Sequence, residues 1–158
     1  LISFNCSDLG TNNITLTVTD AEGNSDTCIA VVTVEDVTDP ITPTLSTITA
    51  QCSVTVPTPT TTDGCNGTIT GTTSDPTTYS SQGSYSITWN FDDGNGNSIN
   101  VIQTVVINDT IDPTAICQDI TLPLNNATGT ATITAAQINN GSTDNCNISN
   151  FIIMTVYK

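Results

Sequence analysis

The residues of this 158-residue chain best suited to chemistry are its acids, and they are not scattered. Glu35-Asp36-Val37-Thr38-Asp39-Pro40 sets two aspartates three residues apart and stops on proline. Asn108-Asp109-Thr110-Ile111-Asp112-Pro113 repeats that arrangement 73 residues later. Asp63 and Asp144 sit in Thr-Asp-x-Cys turns, Asp92 and Asp93 precede Gly-Asn-Gly-Asn, and Asp20, Glu22 and Asp26 surround Gly23-Asn24. Like charges ~4 Å apart repel by about 1 kcal/mol per pair even in water. Gathered acids of this kind therefore attract a cation. Calcium is the natural one, because it accepts roughly six to eight oxygens from carboxylates, carbonyls and amide side chains in loose geometry. Residues 20–26 also carry the alternate-residue oxygen spacing of a calcium loop, without its distal glutamate. The alternative for all these acids is a set of solvated turns that keep the chain soluble.

The charge balance closes off other chemistry. Fifteen acids face one lysine, with no arginine and no histidine, for a net charge of −14. Nucleic-acid backbones require Lys and Arg, so nucleic-acid binding is excluded, and an anionic membrane surface is disfavoured. Without histidine there is no acyl-transfer triad, and neither G-x-S-x-G nor a phosphate-binding glycine loop occurs. Paired carboxylates can hydrolyse glycosides, but the close pairs here lie in turns and linkers. The sequence predicts no enzyme, and no run of it is apolar and long enough for membrane insertion.

The elements that must carry these acids are strands. Thr, Ser, Asn, Val and Ile dominate, aromatics are 4%, and no helical apolar period persists for three turns. The chain is expected to be all-β. Ile14, Leu16 and Val18 alternate with threonine, and they superpose on Ile87, Trp89 and Phe91 in a second copy of the same strand. Trp89 is read as core rather than as a ligand platform. Gly23-Asn24-Ser25 matches Gly96-Asn97-Ser98, Ala50-Gln51-Cys52 matches Ala115-Ile116-Cys117, and Thr62-Asp63-Gly64-Cys65 matches Thr143-Asp144-Asn145-Cys146. Between its two markers the later copy inserts a hairpin, 125–129 turning into 130–134. Residues 41–113 then make one complete repeat, 1–40 the back half of another and 114–158 the front half of a third. Six cysteines without CxxC or histidine point to disulfides and an oxidising, extracellular or cell-surface setting.

The stretches TLTVTDAEGNSDTCIAVVTVEDVTDP and AICQDITLPLNNATGTATITAAQINNGSTDNC carry a family resemblance. They resemble hyalin-repeat (HYR) immunoglobulin-like modules, in particular the tandem versions in long surface proteins of Bacteroidota. The resemblance implies tandem immunoglobulin-like β-sandwich repeats joined by short acidic Asp-x-x-Asp-Pro linkers, acting as spacers and adhesive stalks. The middle repeat departs from it, lacking the hairpin and two cysteines. Function is then expected to be structural, in an extracellular fibre or adhesin stalk stiffened by calcium and disulfides. The competing reading is a calcium-dependent module that binds a glycan or a surface. Thr110, in Asp109-Thr110-Ile111, resembles a short O-glycosylation signal of Bacteroidota, and several Asn-x-Ser/Thr triplets occur.

In such sandwiches the linkers and the turns meet at the joints, where twelve of the fifteen acids are expected; Asp8, Asp75 and Asp119 fall elsewhere. Calcium is expected among Asp36, Asp39, Asp63 and Asp93 at one joint, with Asp92 beside them. At the other it is expected among Asp109, Asp112, Asp144 and Asp20 of an adjoining copy, with Asp26 near that turn. Superposing the copies places Cys6 on Tyr79 and Cys28 on Val101, so both cysteines vanish together from the middle repeat. The simplest pairing is Cys6–Cys28, Cys52–Cys65 and Cys117–Cys146, and its rival links Cys28 to Cys117. Finally, 1–40 and 114–158 are each half a sandwich. They are expected to complete one another head to tail between copies, as separate chains or as one polypeptide joining Lys158 to Leu1. The alternative is that both halves meet within one chain.

Overall fold

A computed structural model describes residues 1–154. The terminal residues 155–158, and with them the expected Lys158–Leu1 junction, lie outside the described residues. The fold is all-β: nine strands, one 3₁₀ turn and a single helical turn make up its regular structure among the described residues. That helical turn, Ala135–Ile138, was not expected from the sequence. The chain divides into two compact units that both draw on the middle segment. One comprises Leu1–Thr47, Val56–Thr77 and Ser86–Thr104, the other Ile48–Thr55, Thr78–Tyr85 and Val105–Lys158.

In the first unit, β1 (Gly10–Thr19) and β2 (Ser25–Val34) form an antiparallel pair from Gly10↔Val34 to Thr19↔Ser25. Alternating Thr with Ile, Leu and Val gives β1 two distinct faces. Gly23 closes the turn between them at φ 91°, a left-handed conformation in which any side chain is strained. Two further strands, numbered in chain order as β5 (Thr60–Asp63) and β6 (Gly67–Thr70), make a short hairpin, Asp63 facing Gly67 across its turn. The buried apolar side chains of this unit are Val56, Ile69, Ile87, Trp89 and Phe91, the last three at 0–1% exposure. Trp89 is core, as its strand position required, and its Nε1 donates to Gln103 Oε1 at 3.0 Å.

In the second unit, β3 (Ile48–Ala50) pairs parallel with the end of β9 (Ser98–Ile107), and β4 (Val54–Thr55) pairs antiparallel with β7 (Thr78–Tyr79). Val105, Ile107 and Tyr79 are buried there, and the Tyr79 and Tyr85 rings stack with centroids 4.4 Å apart. β8 (Gly83–Asp92) and β9 are neighbours in a three-stranded sheet. They supply residues to both units. Apart from that helical turn, residues 114–154 hold only isolated bridges, Thr114↔Thr143 and Cys117↔Asn139. The hairpin expected at 125–134 is reduced to its turn: Asn125 N–H donates to Thr130 O and Gly129 N–H to Asn125 O, with no strand on either side. The apolar side chains there do not alternate against a partner. Leu122, Leu124 and Ile133 remain exposed.

β1 and β8 begin 73 residues apart and are each ten residues long; so do and so are β2 and β9. The two hairpins are the same object in different surroundings. Ile87, Trp89 and Phe91 are sealed, whereas their counterparts Leu16 and Val18 stand 57% and 61% exposed and Ile14 is half-buried.

The disulfides correct the sequence-based pairing. Cys6 bonds Cys65 and Cys52 bonds Cys146, with Cα atoms 5.1 and 5.2 Å apart. Cys28 and Cys117 are free and exposed. A disulfide needs Cα atoms within about 7 Å. Cys28 lies opposite Leu16, while Cys6 precedes Gly10, six residues and so about 20 Å further along the strand. Cys117 faces Asn139, and Cys146 lies past Thr143 on a chain running the opposite way, so that pair diverges too. Non-reducing peptide mapping is expected to recover Cys6–Cys65 and Cys52–Cys146 peptides, with two alkylatable thiols per chain. A Cys6–Cys28 or Cys28–Cys117 peptide would overturn this assignment.

Candidate metal centres

The β5–β6 turn, the β8–β9 turn and the 35–40 linker converge on one group of carboxylates. Oxygens of Asp36, Asp63 and Asp93 lie within 4.8 Å of one another. Each acid is set by its own backbone. Asp63 closes the β5–β6 turn, its Oδ1 accepting Cys65 N–H at 2.8 Å and Asn66 N–H at 3.2 Å. Asp93 begins the Asp-Gly-Asn-Gly-Asn turn. Its Oδ1 accepts the N–H groups of Asn95 and Asn97 at 2.8 and 3.1 Å, and its Oδ2 accepts Asn97 Nδ2 at 2.8 Å. Asp36 leaves β2 with Oδ1 on Thr38 N–H at 3.0 Å, and Asn97 Nδ2 reaches its carbonyl at 3.1 Å. The Asn97 amide bond, ahead of the backbone donors and against the cost of burial, holds the Asp93 carboxyl below its ordinary range. It therefore stays ionised at neutral pH.

One atom in this group is unexplained by the protein. Asp63 Oδ2 is buried and accepts no hydrogen bond. Asp63 is 6% exposed and Asp93 1%. A buried carboxylate oxygen with no donor, on a residue grouped with two further carboxylates, carries a large desolvation and repulsion cost unless a cation meets it. The donor set is entirely hard oxygen, which suits calcium or magnesium and not a thiolate-seeking metal.

A second, poorer group forms in the other unit. Asp109, Asp144 and Cys146 bring donor atoms within 4.8 Å. Cys146 is disulfide-bonded, so only the two carboxylates remain as ligands. Asp144 is held as Asp63 is: Oδ2 accepts Cys146 N–H at 2.9 Å and Asn147 N–H at 3.0 Å.

Of the acids singled out in the sequence, the structure thus gathers Asp36, Asp63 and Asp93 in one place and Asp109 and Asp144 in another. Asp39 and Asp112 are exposed and belong to neither group among the described residues. Each sits three residues past its partner in the linker and is exposed there. Asp92 points out of its strand and caps Gly94 N–H at 2.7 Å; Asp26 bonds Thr27 N–H at 2.8 Å. Asp20 lies in no carboxylate group among the described residues. Thr110 is exposed, its N–H on Gln51 Oε1 at 2.8 Å.

The sequence held a clue to the disulfides that the pairing by superposition missed. Asp63 and Cys65 share one tight turn, as do Asp144 and Cys146. A turn that delivers its aspartate to a junction delivers its cysteine there too, where it meets a cysteine from the preceding segment. Family models, curated proteins and solved structures contain no match to this chain.

Proposed function

We propose that this chain is a structural segment of an extracellular fibre or adhesin stalk, built from immunoglobulin-like sandwich repeats of the hyalin-repeat type. On this reading its first acidic junction is a calcium site. The reading rests above all on the buried, unpartnered Oδ2 of Asp63, a residue whose carboxylate is grouped with those of Asp36 and Asp93. The matching hairpins 73 residues apart support repetition, and two disulfides fit an oxidising compartment. No helix among the described residues is long and apolar enough to cross a membrane. The carboxylates would clamp the ion between the 35–40 linker and two turns, converting a flexible exit into a fixed one. That is work for a stalk. A glycan-binding module would want aromatic platforms, and the polar groove lined by Thr72, Asp75, Thr88, Asn90 and Asn100 has none.

Calcium is expected to raise the melting temperature of the chain, because an ion that binds only the folded state stabilises it by about 2.7 kcal/mol at a hundredfold excess over Kd. Asp63→Asn should abolish that shift. In chelator the same variant should be at least as stable as the parent, since it removes one of three repelling charges. A parent chain whose melting ignores calcium, or an Asp63→Asn chain that still responds in full, would sink the site.

A further inference from the structure

The bond that holds the Asp63 turn also holds the hairpin that delivers Asp36. Asp63 Oδ1 accepts Cys65 N–H at 2.8 Å, so carboxylate and half-cystine are fixed to one another within the β5–β6 turn. Cys65 is bonded to Cys6, whose Sγ lies 3.8 Å from Gly64 O. From Cys6 the chain enters β1 through a locked connection. Asn5 and Asp8 cap the 3₁₀ turn Cys6–Asp8 reciprocally, and Asn12 Nδ2 donates to the Asp8 and Gly10 carbonyls at 2.7 and 3.2 Å. Gly10 then pairs with Val34, two residues before Asp36. The path from Asp63 through the disulfide to Asp36 thus ends on two carboxylates whose oxygens lie within 4.8 Å.

The links that run beside this path are softer. Asn95 Nδ2 reaches Asp36 Oδ2 at 3.4 Å and Asn66 Oδ1 at 3.1 Å, and Ile41 N–H donates to Thr62 O at 3.0 Å. Each is a single hydrogen bond, and water competes for it. The covalent wiring also recurs in the second unit. Cys146 N–H donates to Asp144 Oδ2, Cys146 is bonded to Cys52, and Cys52 follows Ala50, which pairs with Ile107, two residues before Asp109. Twice, then, a disulfide connects a turn aspartate to the linker aspartate grouped with it.

We propose that Cys6 and Cys65 are positioning residues of the Asp36–Asp63–Asp93 site, which takes calcium tightly only while their disulfide is closed. The proposal rests on the calcium reading of that junction. With the bond open, three repelling carboxylates are held together by hydrogen bonds alone and drift apart. Cys6 is exposed, so a small dithiol reaches the bond. In the exchange the two sulfurs of the dithiol join, the Cys6–Cys65 bond breaks, and both cysteines become thiols with the two protons the dithiol gives up. The coupling is reciprocal: the factor by which opening the bond weakens calcium binding is the factor by which calcium disfavours opening. A reduced chain is therefore a chain not yet stiffened, and the joint sets in an oxidising compartment.

The test is calorimetric calcium titration of the whole chain and of a Cys6→Ser, Cys65→Ser double variant. Alongside it the parent is equilibrated in a dithiothreitol buffer, in calcium and in chelator, and each disulfide is quantified by alkylation and mass spectrometry. The double variant is expected to bind calcium about 10–100-fold more weakly, the loss typical when a group that orients metal ligands is removed. In the parent, calcium should shift the Cys6–Cys65 balance toward the disulfide by the same factor, and Asp63→Asn should abolish that shift. The exchange measurement uses the parent chain, so it decides the matter even where the double variant does not fold. Unchanged affinity in a folded double variant would overturn the positioning role and leave the calcium site standing. So would a Cys6–Cys65 balance indifferent to calcium in a parent whose melting responds to it. An equal, Asp63-dependent shift at Cys52–Cys146 would overturn the role too, because calcium would then merely favour the folded chain. A parent whose melting ignores calcium would remove the site and this proposal together.

Discussion

Removing the Cys52–Cys146 bond, by Cys52→Ser together with Cys146→Ser, is expected to cost about 2–4 kcal/mol in urea unfolding. The bond closes a loop with a sequence separation of 94 residues, and the Cys6–Cys65 bond one of 59. Loop-closure entropy grows with the logarithm of length and sets an upper value of about 4–5 kcal/mol for either. The effect should be larger in consequence at Cys52–Cys146. Residues 114–154 have isolated bridges where other segments have ladders, and this bond ties them to the turn after β3. Cys28→Ser and Cys117→Ser serve as internal controls. Both thiols are free and exposed, so each change should stay within about 0.5 kcal/mol. A loss of several kcal/mol at Cys28 would mean that it is bonded after all.

Trp89→Ala should cost about 3–5 kcal/mol, from lost transfer energy and the cavity left behind. It also strips the indole donor from Gln103 Oε1, and Gln103 is itself buried with its Nε2 on Ser46 O at 3.0 Å. A buried acceptor left bare adds about 1–3 kcal/mol unless water reaches it. The informative comparison is Leu16→Ala, the same position of the other hairpin. There the side chain is already 57% exposed, so in chelator and at low concentration the change should cost under about 1 kcal/mol. Equal costs at the two positions would show that the β1–β2 face is covered in the isolated chain.

These two hairpins also measure what could be read in advance. Alternation of apolar residues with Thr, Ser and Asn defined the first strand of each hairpin, because a strand shows its two faces at every second residue. The Gly-Asn turn placed the reversal, since only glycine takes a left-handed conformation there without strain. The same reasoning found all five carboxylates that the structure gathers: each lies in a turn or linker whose backbone geometry is local, and the turns recur.

What the sequence could not decide was whatever depends on which chain surface arrives opposite. Leu16 and Trp89 occupy the same place in the same local structure, and nothing within either strand says that one is covered and the other open. Asp39 and Asp112 read as well as Asp36 and Asp109, yet in the folded chain they stay exposed and outside both groups among the described residues. The cysteines show it most clearly. Pairing by superposition assumed that bonds close within a repeat, but a disulfide forms wherever two Cα atoms come within reach. In the folded chain Cys65 and Cys146 reach cysteines 59 and 94 residues away, while Cys28 and Cys117 reach none. Local sequence determined the strands, the turns and the acids they present; only the tertiary structure, which sets distances between remote parts of the chain, decided the bonds, the buried face and the unpartnered oxygen of Asp63.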